Sequence, residues 1–198
     1  MEGDFWSGNH WVENWTGTRD ADFELPDPNS LTFLKPAYSK VEFVFEDMDG
    51  ETVSLSDPQF ADKVVIVQIM GSWCPNCKDE TAYLVSLYNR LHEQGLEVVS
   101  LAFEKSDNRE TNLRSLKRLR DHFNVPYPIL LAGMASKMEA AEKLPMLNHV
   151  LSFPTTVYID RSGEVRRVHT GFSGPGTGEY YSEFVEETDR FVTTLLIE

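Results

Sequence analysis

Val64-Val65-Ile66-Val67-Gln68-Ile69-Met70 runs into Gly71-Ser72 and then Trp73-Cys74-Pro75-Asn76-Cys77. The first seven residues are apolar except Gln68, which reads as a parallel strand buried on both faces. Beyond the second cysteine, Ala82, Leu84, Val85, Leu87, Tyr88 and Leu91 recur at helical spacing. The only two cysteines of the chain therefore fall where a buried strand ends and a helix begins.

Two cysteines three positions apart at a helix N-terminus can close a small disulfide ring with little backbone movement. The first thiol faces the free N–H groups of the first turn, which favour a negative charge. Such sites lower a cysteine pKa from about 8.5 to roughly 3.5–7.5. Cys74 is therefore read as the catalytic nucleophile and Cys77 as the thiol that resolves the mixed disulfide. Pro75 suits the first turn, where its missing N–H costs nothing. Two other readings are weaker. A zinc site wants four ligands, but no second cysteine pair exists and His10, His92, His122, His149 and His169 lack paired spacing. Two small, inert core residues would not need this junction.

Working outward, the 198-residue length fits one domain plus an appendage, and 41% hydrophobic residues can build a full core. The net charge of −14 argues against nucleic acid as a partner. No apolar run approaches a membrane span, and no signal peptide opens the chain. Residues 1–40 are expected to be an extended, loop-like, acidic segment, rich in Pro and containing Trp6, Trp11 and Trp15. Some of these indoles are expected to pack on the domain or on a partner.

Val41–Phe45 and Thr52–Leu55, joined by Met48-Asp49-Gly50-Glu51, form a predicted β-hairpin that covers a sheet edge. The strand at 64–70 and a helix over about 75–94, ended by Gly95, come next. A strand at 96–103 and a helix at 108–123 follow. The outer face of that helix, with Arg109, Arg114, Lys117, Arg118 and Arg120, reads as a solvated face, with a basic docking patch as the alternative. A short strand at 129–131, a helix near 134–144, a hairpin over 155–172, a flexible glycine-rich stretch at 173–178 and a last helix near 179–196 complete the chain. This order gives an α/β fold. Its parallel-dominated sheet, flanked by helices, gains antiparallel edges from the late hairpin.

The segment Gly71-Ser72-Trp73-Cys74-Pro75-Asn76-Cys77-Lys78-Asp79-Glu80 resembles the active-site segment of the thioredoxin superfamily, closest to its TlpA/ResA branch. The likeness runs from about Val41 to the C-terminus, making 41–198 a thioredoxin-like domain. It implies a thioredoxin fold carrying an N-terminal β-hairpin and a crossover helix insertion, with a mixed central sheet. It also implies a thiol-disulfide oxidoreductase that needs no cofactor beyond its own Cys74–Cys77 disulfide. Pro154 would then be cis and lie against the cysteines. Phe153 would offer its backbone to a substrate strand, and Trp73 and Pro75 would contact the partner. Glu80 is read either as the group that takes the proton of Cys77 or as a first-turn acid that stabilises the helix dipole. Asp79 is read as surface. Gln68 stands where thioredoxins carry a buried aspartate; as a neutral amide it cannot serve as a base, which leaves Glu80 or water.

The resemblance further implies reduction of disulfides in extracytoplasmic proteins, apocytochrome c among them, with an upstream electron donor. It places the protein in the periplasm, anchored or as part of a longer chain. Two other functions share the fold. A thiol peroxidase would use a lone cysteine, and Cys77 counts against it. A copper-delivery protein would want three residues between its cysteines and a histidine near the proline loop, whereas His149 lies further back.

Overall fold

The structure is a computed structural model that describes residues 1–7 and 11–198. His10 and the side chain of Trp11 lie outside the described residues. The strands are β1 (Glu2–Ser7), β2 (Trp11–Thr16), β3 (Val44–Asp47), β4 (Thr52–Ser54), β5 (Val64–Met70), β6 (Leu96–Glu104), β7 (Ile129–Met134), β8 (Thr155–Ile159) and β9 (Val165–Thr170). The helices are α1 (Pro28–Leu31), α2 (Pro75–Leu91), α3 (Arg109–Phe123), α4 (Lys137–Lys143) and α5 (Glu179–Ile197). Seven strands form the main sheet in the order β4-β3-β7-β6-β5-β8-β9.

Every residue of β5 is buried, and β6 is buried nearly throughout, as their apolar runs require. Alternate residues of β5 serve two cores. Val64, Ile66 and Met70 face α2, α3 and α5; Val65, Val67 and Ile69 face α4 and the first hairpin. Burying side chains such as Ile66, Leu84 and Leu87 completely stabilises the fold by about 1.5–3 kcal/mol each. That packing clamps α2 against β5 and β6, and so fixes where the cysteines sit. Beyond α2 the chain tightens into a 3₁₀ turn and reverses at Gly95, whose φ of 102° favours a residue without Cβ.

The sheet is mixed, as the resemblance implies, and less parallel than the strand–helix order suggests: only β5–β6 and β6–β7 run parallel, whereas β3–β4, β3–β7, β5–β8 and β8–β9 are antiparallel. The first hairpin pairs through β3 with β7, which adds an antiparallel border on that side too. Residues 1–40 are also not simply loop-like. Glu2–Ser7 and Trp11–Thr16 pair as the antiparallel strands β1 and β2, with Glu2 opposite Thr16 and Trp6 opposite Val12. Their apolar residues do not alternate cleanly, so a period of two is hidden. Trp6 and Trp15 are 66% and 46% exposed on this pair. Residues 28–34 strap across β9: His169 Nδ1 lies 2.9 Å from Asn29 Oδ1, and the Thr170 hydroxyl donates to Thr32 Oγ1 at 2.9 Å. In the glycine-rich stretch, Pro175–Thr177 forms a 3₁₀ turn closed by Thr177 N–H on Gly174 C=O.

Candidate active site

Cys74 is the N-cap of α2, with Pro75 in the first helical position. Its sulfur accepts the Cys77 backbone N–H at 3.4 Å. Both cysteines are free thiols; Cys77 is fully buried, and Cys74 is 6% exposed. The Cys74 pKa is lowered to about 6. The hydrogen bond from the Cys77 thiol is the largest cause; the backbone N–H groups of Cys77 and Asn76 and the Lys78 charge add to it, against burial. The Cys77 thiol is pushed far up, first by donating to Cys74, then by burial, and further by the negative charges of Cys74 and Glu80. At neutral pH one site thus holds a thiolate at the head of α2 and a thiol buried behind it.

The Phe153–Pro154 peptide bond is cis, as the resemblance implied. The loop it shapes puts Phe153 C=O 3.4 Å from Cys74 Sγ, where it accepts the S–H whenever that thiol is protonated. Pro154 is buried and Phe153 half-buried. Trp73 closes the other side. Its Nε1–H donates to Phe103 C=O at 2.9 Å, and its ring meets Phe153 edge-on at 5.7 Å. Gly71 makes that placement possible: a Cβ there would overlap the Trp73 indole and come within 2.8 Å of Phe103 O. Pro75 and Asp79 are exposed.

Glu80 is not a first-turn acid. It is the sixth residue of α2, it is only 1% exposed, and its carboxylate points into the protein. Oε1 accepts from the Thr156 hydroxyl and Oε2 from Gln68 Nε2–H, both at 2.8 Å. Burial pushes its pKa up to about 7; those two hydrogen bonds pull down, and the Cys74 charge pushes further up. Gln68 is the connector. Its Nε2 also donates to Cys77 C=O at 3.3 Å, while its Oε1 accepts from Ser100 Oγ at 2.8 Å and Thr81 Oγ1 at 3.3 Å. Sheet register explains the cluster, because Ser100, Gln68 and Thr156 stand side by side on β6, β5 and β8.

The sequence reading missed Ser100, Thr156 and Thr81, and took Gln68 only as a base that is absent. A signal was present: Gln68 and Ser100 interrupt apolar strands. Glu104, also missed, ends β6 beside the site. It is 3% exposed and accepts Ser72 N–H and O–H at 2.7 Å each. Among the described residues no group of three or more His, Cys, Asp or Glu is placed to hold a metal ion. The imidazole of His149 lies 2.8 Å from Leu31 C=O.

Comparison with known proteins agrees with this geometry. The thiol-disulfide oxidoreductase ResA of Halalkalibacterium halodurans is 29% identical over 146 residues, covering 74% of this chain and 73% of the relative. ResA of Bacillus subtilis is 30% identical over 129 residues, covering 65% of this chain and 64% of the relative. Two solved structures share the fold. A secreted thiol-disulfide isomerase from Corynebacterium glutamicum has a TM-score of 0.61 at 18% identity, covering 89% of this chain and 98% of that one. A thiol:disulfide interchange protein from Chlorobium tepidum has a TM-score of 0.58 at 22% identity, covering 80% and 95%. The Redoxin family model matches residues 35–182. A thioredoxin-fold sheet that presents a Cys74–Cys77 dithiol at the head of α2 makes this chain a thiol-disulfide oxidoreductase, and it belongs to the Redoxin family.

Proposed function

We propose that this protein works as a reductase, passing two electrons from Cys74 and Cys77 to the disulfides of extracytoplasmic proteins. The observation that carries this reading is the geometry of the dithiol: Cys74 Sγ caps α2 and accepts the Cys77 N–H at 3.4 Å, with the buried Cys77 thiol and the buried Glu80 behind it. That setting lowers the Cys74 pKa and readies the thiolate for attack on a substrate disulfide.

The Cys74 thiolate attacks one sulfur of the substrate disulfide. A Cys74–substrate bond forms, the substrate S–S bond breaks, and the first substrate thiolate leaves. Cys74 is now neutral, and two things change behind it. The negative charge and the hydrogen bond that held the Cys77 proton are gone. The same lost charge had been pushing the Glu80 pKa up, so Glu80 ionises more readily. Glu80 then takes the Cys77 proton. The Cys77 thiolate attacks Cys74 Sγ, closes the disulfide and expels the second substrate thiolate. The protein has lost two electrons and the substrate has gained them. An upstream dithiol donor must reduce Cys74–Cys77 again. Trp73, Pro75, Phe153 and Pro154 frame the exposed edge of Cys74 and form the surface a substrate strand meets.

Apocytochrome c, whose paired cysteines must be reduced before haem attachment, is a substrate consistent with the family resemblance. An extracytoplasmic setting is consistent with the secreted Corynebacterium glutamicum isomerase of the same fold. Among the described residues no helix is long and apolar enough to cross a membrane. The test is equilibration in defined redox buffers, with free thiols trapped and weighed by mass spectrometry. A potential near about −270 mV is expected. A value near about −120 mV would make the protein a disulfide donor.

A further inference from the structure

A groove of about 560 Å³ opens beside the dithiol, between the start of α2, the end of β6 and one face of α3. Trp73 forms its wall nearest Cys74, and Leu119 and Phe123 also line it. Its charges are unusual for this chain. Lys78, Lys105 and Arg118 line it together with His122, and none of the three cations joins a side-chain ion pair among the described residues. Lys105 instead lies over the Trp73 ring, 4.6 Å from its centroid. The single carboxylate in the lining, Glu104, has its two oxygens occupied by Ser72. A protein of net charge −14 has carboxylates to spare, yet Lys105 and Arg118 have no carboxylate ion-pair partner among the described residues, while the Lys78 charge acts on Cys74 and Glu104.

Resting on the reductase reading above, we infer that this groove takes an acidic polypeptide segment flanking the substrate's cysteines. Thr111, Ser115, Arg118 and His122 share one face of α3 and give the groove its length. At a helical rise of about 1.5 Å per residue that face spans roughly 16 Å. An extended chain at about 3.3 Å per residue fills that span with roughly five residues. The segment leaves Cys74 past Trp73 and lays its carboxylates on Lys105 and Arg118. The overall charge of the protein repels the same segment, so a preference for it would have to be local.

The test uses pre-reduced protein and two disulfide-linked peptides that differ only in the residues flanking the cysteine, one set Glu-rich and one Lys-rich. Single-turnover rates are read by acid quench and mass spectrometry, and normalised to the uncharged hydroxyethyl disulfide. At low salt the Glu-rich peptide should react about tenfold faster than the Lys-rich one, and the gap should close at high salt. Arg118→Glu should cut the preference about fivefold or more, while Arg118→Lys retains it. Lys117→Glu, with the same charge change on an exposed neighbour outside the groove, should leave it within about twofold. Equal rates for the two peptides, or equal losses in Lys117→Glu and Arg118→Glu, would overturn the inference. No reaction with any of the three disulfides would overturn the reductase reading and take the groove assignment down with it.

Discussion

Replacing Thr156 by Val tests whether Glu80 is the proton acceptor for Cys77. The substitution keeps the shape of a buried β8 side chain but removes the hydroxyl that donates to Glu80 Oε1 at 2.8 Å. A hydrogen bond to a charged group is worth about 1.5–3 kcal/mol, and each pKa unit about 1.4 kcal/mol. The Glu80 pKa should therefore rise from about 7 to roughly 8–9. At neutral pH the ionised fraction then falls from about half to roughly 1–10%. The assay is stopped flow with a symmetric nitroaromatic disulfide whose thiolate product is coloured. One equivalent of colour marks attack by Cys74, and a second marks resolution by Cys77. The second phase runs with Cys74 neutral and the Glu80 pKa lowered accordingly in both proteins, so it should slow roughly 10–100-fold at pH values below that pKa and less at neutral pH. Because the base must be ionised, the rate of that phase falls as pH drops through the Glu80 pKa. The midpoint of the fall should move up by roughly one to two units in the variant. The first phase should keep its midpoint near 6, where Cys74 titrates. A second phase whose midpoint stays in place would refute the role of Glu80, whatever happens to its amplitude.

Other outcomes follow from the same geometry. Alkylation of Cys74 by iodoacetamide should fall as pH drops through about 6, and Cys77 in the same sample should stay unmodified at neutral pH; peptide mass mapping reads both. Cys77→Ser should accumulate the Cys74–substrate mixed disulfide, visible as a mass adduct that added dithiol removes. Gly71→Ala drives a methyl group into Trp73 and toward Phe103 O, and should lower stability by about 1–3 kcal/mol in urea titration. Leu84→Ala, at a fully buried α2 position that holds the helix on the sheet, should cost about 2–5 kcal/mol in the same titration.

What could be read from the sequence was local. The apolar run of β5, the cysteine pair, Gly95 and the helical spacing of α2 and α3 lie within short windows, and they located the strand, the nucleophile and the helices. The cis Phe153–Pro154 bond came through the family likeness. What could not be read was register. Ser100 lies on β6 and Thr156 on β8, far from Gln68 in the chain, and only the β6–β5–β8 pairing sets all three in one row. The same limit explains Glu80. Helical spacing placed it on the face of Cys77, but whether it capped a helix or was buried beneath it depended on what lay across the sheet. The β1–β2 pairing was missed for the opposite reason: Phe5, Trp6, Val12 and Trp15 remain exposed and carry no inside–outside pattern.

The row of three polar strand residues gives Gln68 a role that its lack of charge first hid. A buried carboxylate at its position would have added a negative charge beside Cys77, in addition to those of Cys74 and Glu80, inside a low-dielectric layer where like charges are costly. An amide instead donates to Glu80 and to Cys77 C=O while its own oxygen is satisfied by Ser100 and Thr81. Ionisable charge at the buried side of the site is thereby confined to Glu80, whose carboxylate stays close to balance between its two forms. Such a site holds at rest a Cys74 thiolate and a Glu80 about half ionised, and never needs a third charge. The charge begins on Cys74 and leaves with the first product; as Cys74 becomes neutral, Glu80 releases its proton to solvent, then takes the proton of Cys77, and the charge now on Cys77 leaves with the second product. On this argument the amide at residue 68 helps keep the two sulfur attacks in order, because the ionised Glu80 that accepts the Cys77 proton becomes more populated once Cys74 has spent its charge.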